Sequence, residues 1–336
     1  MMPREIVGKG LRFSLRHAPC AHICRYCLIS ESRKRSALPF SRFEQLVHRF
    51  HDWNHSSGRE DLGIGIFVGP SFDYDLETLK GVARLHARRG AKFQMLNLGG
   101  LRMRRGDELI AWLEERRAAG IVGFHTSLAG CGETHDRWNG RAGDFDYQMS
   151  ILRLAGERGM VRRERLFLTQ NTLPIFDRLL DILDGLPGEL RSRVASPFFY
   201  AGLATRYESE RLTEDDRDNL PERITQLKPA KFDNWLSERE WIPVMLETAD
   251  RPRRLILKLD VDETNIDYLE QTSCEAIFAE RERQYRDSYQ EIPALDELCA
   301  RYGDPTNRKI YMMSRDVEGR WMAMHERETG AKPPID

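Results

Sequence analysis

Hydrophobic and polar positions alternate in a regular way over roughly the first 200 residues. Short apolar runs such as IGIFV at 64–68 are typical of buried strands. Longer stretches between these runs carry apolar residues at helical spacing, which predicts amphipathic helices. The predicted strands are 11–15, 64–68, 93–96, 122–127, 165–169 and 194–198, and the predicted helices are 41–53, 76–89, 107–118, 145–158 and 175–183.

This order of elements predicts parallel βα units and therefore the α/β fold class. Gly90, Gly120 and Gly159 stand where three of the helices should end, as expected for helix C-terminal glycines. Six units are fewer than the eight of a closed barrel, so we expect a partial (β/α)6 TIM-like barrel. In such barrels the chemistry lies at the C-terminal ends of the strands.

The pattern changes after about residue 205. Residues 207–229 are charged and loop-rich, 254–259 is a strand candidate, and 265–289 reads as one long amphipathic helix. Shorter helices are predicted at 293–302 and 317–325. We therefore predict a core barrel over 1–205 and a mainly helical C-terminal appendage over 206–336 that packs on it.

Charge and hydropathy exclude two classes of partner. The 53 acidic and 52 basic residues leave a net charge of −1, so no global field recruits nucleic acid. The mean hydropathy is −0.57, and no apolar run approaches the roughly 18 residues of a membrane span. The first 20 residues lack the apolar stretch of a secretory signal, and we expect a cytoplasmic protein.

Three of the six cysteines, Cys20, Cys24 and Cys27, form a CxxxCxxC run directly after the first predicted strand. Thiolates suit soft metals and iron–sulfur clusters. A four-iron cluster has four corners and this run supplies three ligands, which leaves one iron open. Two alternatives are a zinc site that adds His17 or His22, and a closed electron-transfer cluster that recruits a distant cysteine.

This run resembles the signature of the radical S-adenosylmethionine superfamily. The resemblance implies a [4Fe-4S] cluster whose open iron is chelated by S-adenosylmethionine. It also implies reduction by an external donor such as flavodoxin or ferredoxin, and cleavage of the cofactor to a 5′-deoxyadenosyl radical that abstracts hydrogen from a substrate. An aromatic residue before the third cysteine is common in the family; Tyr26 matches it, and its expected place is beside the adenine.

Further cofactor-binding residues are implied by the same resemblance. Gly69 and Ser71 stand where the family has a Gly-Gly-Glu-like turn for the cofactor's amino group, although the glutamate is absent here. Asn97 matches the end of the third strand and would point into the barrel mouth. Ser127 matches a serine that faces the cofactor carboxylate, and Arg141 is a second candidate for that carboxylate.

Residues 123–145 resemble the peptide-modifying branch of the superfamily, which often carries a SPASM or twitch domain with auxiliary clusters. Only Cys274 and Cys299 lie in the second half of this chain, and two thiols cannot hold a four-cysteine cluster. We therefore expect a single cluster and redox-neutral chemistry such as epimerisation, with Cys131 or Cys274 as a hydrogen donor. The expected substrate is a peptide or a natural product; the alternative function is a metal-stabilised binding module without catalysis.

Overall fold

Strands and helices alternate along the chain in the computed structural model, which describes residues 6–29, 36–59, 62–229, 235–249 and 251–331. The strands are β1 Ile6–Ala18, β2 Gly63–Pro70, β3 Met95–Asn97, β4 Gly123–Leu128, β5 Val161–Leu168, β6 Leu190–Pro197, β7 Leu236–Ser237, β8 Arg253–Val261 and β9 Ile310–Tyr311. The helices are α1 Phe40–Ser56, α2 Leu76–Arg88, α3 Gly106–Ala118, α4 Glu133–Asn139, α5 Asp144–Gly156, α6 Phe176–Asp184, α7 Glu214–Asp218, α8 Glu222–Thr225, α9 Glu238–Leu246, α10 Ile266–Gln271, α11 Cys274–Gln290, α12 Leu295–Tyr302 and α13 Ser314–Thr329.

The predicted α/β class is confirmed by the sheet topology. One sheet has the order β2-β1-β8 and the other has the order β3-β4-β5-β6, and every pairing in both sheets is parallel. From β1 to β6 each strand is followed by helical structure before the next strand, as in a partial (β/α)6 barrel. Gly90, Gly120 and Gly159 have φ values of 69°, 91° and 71°, as expected for glycines that end helices.

The region after residue 205 differs from its prediction in two places. The predicted strand 254–259 is β8, and it pairs in parallel with β1, so the C-terminal region extends the barrel sheet itself. The predicted single helix over 265–289 is wrong, because α10 and α11 are separate helices. Thr272 is extended between them, and the Ser273 hydroxyl caps α11 by accepting from the Ala276 amide. The division of the chain at residue 205 stays a prediction.

Alternation along the strands gives each sheet an outer face under the helices and an inner face. Phe13 of β1 packs on Phe50 of α1 with ring centroids 4.8 Å apart, and Phe124 of β4 stacks on Trp112 of α3 at 5.9 Å. Residues that alternate with these, such as Ser127, therefore point to the inner face. Within the described part of the chain, no helix combines the length and the apolar character that crossing a bilayer requires.

Candidate active site

The segment after β1, residues 19–29, is called the cysteine loop here. It crosses the C-terminal ends of the neighbouring strands and is held by backbone hydrogen bonds to three connections. The Ala21 amide donates to the Gly100 carbonyl after β3 at 3.0 Å, and the Ile23 amide donates to the Asn139 carbonyl at the end of α4 at 3.0 Å. The Leu203 amide, beyond β6, donates to the Cys27 carbonyl at 2.9 Å. The loop thus lies at the barrel end where the sequence places the chemistry.

Three glycines with positive φ form a cradle around this loop: Gly100, Gly140 and Gly202, with φ of 78°, 63° and 55°. A Cβ atom added at Gly100 would collide with Sγ of Cys20. An added Cβ would meet the Ile23 carbonyl at Gly140 and the Cys27 carbonyl at Gly202, in each case inside the 3.0 Å that Cβ atoms respect. Both the backbone conformation and the close approach therefore require glycine at these positions.

The three thiols of the cysteine loop are free and half-buried. Burial, and then the neighbouring Cys20 and Cys27, raise the pKa of Cys24 to about 12, while a hydrogen bond with Tyr26 works against the shift. The Cys24 thiol therefore keeps its proton at neutral pH, and binding of a metal would release it. Three thiols on one loop, packed against glycines that leave no space for a side chain, are the donor set that a cluster bound through three of its irons would require, and their role as ligands stays a prediction.

A buried polar network ties the loop to the rest of the barrel, and its centre is the carboxylate of Asp144 at the start of α5. His22 Nε2 donates to Oδ1 at 3.0 Å, and His135 Nε2 donates to Oδ2 at 3.0 Å. Asn139 and Gln148 also donate to Oδ2, at 2.5 and 2.9 Å. These donors account for a buried carboxylate that would otherwise be costly.

Each histidine of this network is fixed in one tautomer by the bond at its other nitrogen. His22 Nδ1 accepts from the Gly100 amide at 3.1 Å, and His135 Nδ1 accepts from the Ala129 amide at 3.2 Å. In both rings the proton is therefore on Nε2 and points to Asp144. Burial lowers the pKa of His22 despite its hydrogen bond with Asp144, which keeps this ring neutral.

Burial by itself would raise the pKa of Asp144, but hydrogen bonds from His135, His22 and Arg141 hold it far below its usual range. Arg141 also donates to the Leu101 carbonyl and pairs with Asp144, so its guanidinium is already engaged. This position favours a structural role for Arg141, and the predicted contact with a cofactor carboxylate stays a prediction.

Replacing Asp144 with asparagine is expected to lower the free energy of unfolding by about 3 kcal/mol or more, because one partner of a buried charged network is lost. Urea denaturation of the iron-free chain measures it. Asp146→Asn is the matched control, since Asp146 is exposed on the same helix, and its effect should stay within about 0.5 kcal/mol.

Because the folded-state pKa of Asp144 is depressed, its contribution to the free energy of unfolding is present above about pH 4 and is lost as the pH falls further. The free energies of unfolding of the wild type and of Asp144→Asn should therefore approach each other as the pH falls below about 4. An equal loss of stability in Asp144→Asn and Asp146→Asn would contradict the central role given to Asp144.

Tyr26 points from the cysteine loop into an aromatic cluster at the barrel end. Its ring stacks on Phe198 with centroids 4.9 Å apart, and it packs on Phe167 at the same distance. Its hydroxyl donates to Oδ1 of Asn139, which joins the cluster to the Asp144 network. The cluster consists of Tyr26, Trp138, Phe167, Phe198 and Tyr207.

The other predicted cofactor residues lie around the same barrel end. Ser71 is buried and donates to the Pro19 carbonyl at 2.6 Å, so it braces the residue before Cys20. Gly69 is in β2, and an added Cβ there would collide with the Phe67 ring. Asn97 and Ser127 share the inner face, and Asn97 Oδ1 accepts from the Gly99 amide at 2.8 Å. Their contacts with a cofactor stay predictions.

The two predicted hydrogen-donor thiols lie elsewhere. Cys131 is buried in the main hydrophobic core, where burial raises its pKa and Arg178 of α6 is a neighbour. Cys274 is buried at the start of α11, with Arg49 of α1 beside it, in the outer helical layer. The structure does not bring either thiol into the cysteine loop, and the donor role stays a prediction.

The zinc alternative requires a histidine that is available to a metal. Both ring nitrogens of His22 are engaged by Gly100 and Asp144, and His17 Nε2 lies 2.9 Å from the Thr78 hydroxyl of α2. Across the described residues, which include Cys20, Cys24 and Cys27, no three His, Cys, Asp or Glu side chains form a group that could hold one metal ion. This finding argues against a single zinc ion, whereas a four-iron cluster would bind each of the three thiols at a different iron. The bonds of His22 argue against its use as a zinc ligand.

A cavity of about 760 Å³ opens beside the cysteine loop between α3 and the connection from β2 to α2. Cys20 and Gly100 line its inner end, and Asp73, Trp112 and Arg116 line its walls. The cavity lies on the outer side of the barrel, so Cys20 is accessible from a direction other than the inner face.

Sequence reasoning did not find the role of Asp144 or the contacts of Gly140 and Gly202. The Asn-Gly pair at 139–140 signals a turn, but nothing local shows that this turn meets Ile23. These contacts join segments more than 100 residues apart, so only the tertiary structure reveals them.

Comparison with known proteins gives likenesses of fold. No family model and no curated protein matches the sequence. Similar solved structures include SuiB of Streptococcus suis bound to S-adenosylmethionine, at 13% identity over 57% of this chain and 41% of that chain, with a TM-score of 0.40. Coproporphyrinogen III oxidase HemN from Escherichia coli, described as a radical SAM enzyme, is 12% identical over 96% and 90% of the two chains, with a TM-score of 0.36.

A third similar structure is anSMEcpe with bound AdoMet, at 11% identity over 95% of this chain and 97% of that chain, with a TM-score of 0.43. The chain spans half or less of the length of the SuiB chains it matches. All three neighbours are similar in fold, at low identity and with TM-scores below 0.5. The function is therefore argued from the residues of the site.

Proposed function

We propose that the chain is a radical S-adenosylmethionine enzyme with one [4Fe-4S] cluster held by Cys20, Cys24 and Cys27. The observation that carries the proposal is the cysteine loop itself. Its three thiols lie at the C-terminal end of a parallel barrel, in a cradle of glycines, and both ring nitrogens of His22 are engaged by other partners. When bound, the reduced cluster supplies the electron that cleaves S-adenosylmethionine to the 5′-deoxyadenosyl radical.

The residues around the loop then have separate tasks. The Asp144 network and Ser71 hold the loop in one conformation, because they bind His22 and the Pro19 carbonyl. Tyr26 and its aromatic cluster provide a flat apolar surface for the adenine. Gly69, Asn97 and Ser127 remain the positions for the polar end of the cofactor, around the barrel mouth.

The proposed reaction leaves the oxidation state of a peptide or natural-product substrate unchanged. The 5′-deoxyadenosyl radical would remove one hydrogen atom from the substrate, and a thiol would return one hydrogen atom to the substrate radical. The external electron donor and a proton would then restore the thiol from its thiyl radical. Support comes from the thiol count, since Cys274 and Cys299 are too few for a further four-cysteine cluster. Epimerisation is one such reaction. An external electron donor such as flavodoxin or ferredoxin would reduce the cluster.

Anaerobic reconstitution tests the proposal. The protein is expected to bind about four iron atoms per chain and, after reduction with dithionite, to convert S-adenosylmethionine to 5′-deoxyadenosine. Iron analysis and chromatography of the nucleoside are the measurements. A colourless protein that takes up zinc and leaves S-adenosylmethionine intact would instead support the metal-stabilised binding module.

A further inference from the structure

The inner face of the barrel carries a concentration of positive charge. Arg12 of β1 is in register with Lys258 of β8, and Arg12 alternates with Phe13, which faces the helices. In the other sheet, Arg163 of β5 is in register with His125 of β4. Register partners in a parallel sheet share a face, so the inner face bears these residues together with Arg16 and Arg165.

In the part of the chain that the structure describes, the inner arginines form no ion pair, unlike Arg162 on the outer face. On β5, Arg162 faces outward and pairs with Glu164 at 2.8 Å. Within the described residues, no ion pair is formed by Arg12, Arg16, Arg163 or Arg165, whose side chains are exposed or half-buried. Two carboxylates do act on this face: Asp260 of β8, in register with Ser14, pairs with Lys258 at 3.4 Å, and the charge of Asp262 acts on Arg16.

Two further contacts of arginine with an aromatic ring lie at the C-terminal end of this face. The guanidinium of Arg165 and that of Arg315, at the start of α13, each lie 5.8 Å from the ring centroid of Phe199. Burial lowers the pKa of Arg165, and no carboxylate acts against the shift. Burial and then Arg163 lower the pKa of His125, so this ring is neutral at pH 7 and the positive charge belongs to the arginines. Arginines that outnumber the carboxylates around them repel one another, and a bound anion would relieve that repulsion.

We propose that the inner face of the barrel binds a substrate with two or more anionic groups, carboxylate or phosphate, through Arg163 and Arg165 in one sheet and Arg12 and Arg16 in the other. The guanidinium fork suits both groups because it donates two parallel hydrogen bonds. That the bound anion is a substrate rests on the proposed function. It narrows the peptide or natural product to an anionic one.

The test is calorimetric titration of the full-length chain with citrate and with pyrophosphate at low salt, which separates a carboxylate site from a phosphate site. Arg163→Gln and Arg12→Gln are each expected to weaken binding of the preferred probe about tenfold or more. Arg163→Lys should recover part of the loss, because it keeps the charge without the fork. Arg153→Gln is the matched control; Arg153 is exposed on α5, and binding should be unchanged.

Several outcomes would overturn the proposal. One is a wild-type chain that binds neither probe, and another is binding that survives both Arg163→Gln and Arg12→Gln. A third is an equal loss in Arg153→Gln, which would mean non-specific attraction. A fourth is full displacement of the probe by S-adenosylmethionine, which would assign the arginines to the cofactor's carboxylate. None of these readouts requires cofactor cleavage, so failure here is distinct from failure of the proposed function.

Discussion

Replacing Cys24 with alanine is expected to abolish both iron incorporation and the formation of 5′-deoxyadenosine. Cys24 lies between Cys20 and Cys27 along the loop, and burial and then both of these cysteines raise its pKa. Without it, two thiols remain on the loop, and a cluster held through only two of its four irons would dissociate from the protein. The measurements are iron per chain after anaerobic reconstitution and the yield of 5′-deoxyadenosine from S-adenosylmethionine.

Cys274→Ala and Cys131→Ala are the matched controls for this experiment. Both thiols are buried away from the cysteine loop, so both variants should keep the iron and the cleavage reaction. With a substrate present they also test the donor role, since loss of product with cleavage retained would identify a hydrogen donor. Normal iron content in Cys24→Ala, or iron loss in the two controls, would contradict the ligand assignment.

The predicted strand 165–169 shows where sequence patterns lose information about the fold. β5 begins at Val161, four residues before the predicted start. The prediction misses these residues because the first half of the strand consists mostly of charged residues. Arg162 and Glu164 are nevertheless buried, since Arg162 pairs with Glu164 and Arg193 of β6 pairs with the same carboxylate. A strand segment whose buried charges are paired with those of a neighbouring strand has the sequence pattern of an exposed loop. The apolar run predicts the neighbouring β4 to within one residue at each end. The start of β6 is missed by four residues as well, because its first half, from Leu190, is mostly exposed and carries two arginines.

In the candidate site, too, local features can be predicted from the sequence and long-range contacts cannot. The spacing of Cys20, Cys24 and Cys27 is a local feature, and the sequence alone predicts that they act together. Arg141 shows the limit, because the same side chain that suits a carboxylate ligand is engaged here by Asp144, which belongs to the protein. The sequence indicates which chemical group is available, and the folded chain decides which partner it meets.

Gly100→Ala is the second substitution for which we expect a large effect, although it removes no metal ligand. Gly100 has a φ of 78°, which costs an alanine roughly 1–2 kcal/mol. The added Cβ would also collide with Sγ of Cys20 and touch the Cβ of Ser71 at 3.2 Å. Cys20 must therefore move away from its position beside Cys24. We expect the variant to fold but to bind little iron, as measured by iron analysis beside its thermal unfolding.

Gly90→Ala separates the effect of backbone strain from the effect of the collision. Gly90 has a φ of 69°, and an added Cβ there would meet nothing within 4 Å. Both variants should lose similar stability from the strained backbone, while only Gly100→Ala should lose the cluster. If both kept full iron content, the loop would tolerate displacement of Cys20, and the glycine cradle would not be what positions the thiols. If both lost iron equally, general destabilisation would account for the result, since only the Cβ added at position 100 would reach Cys20.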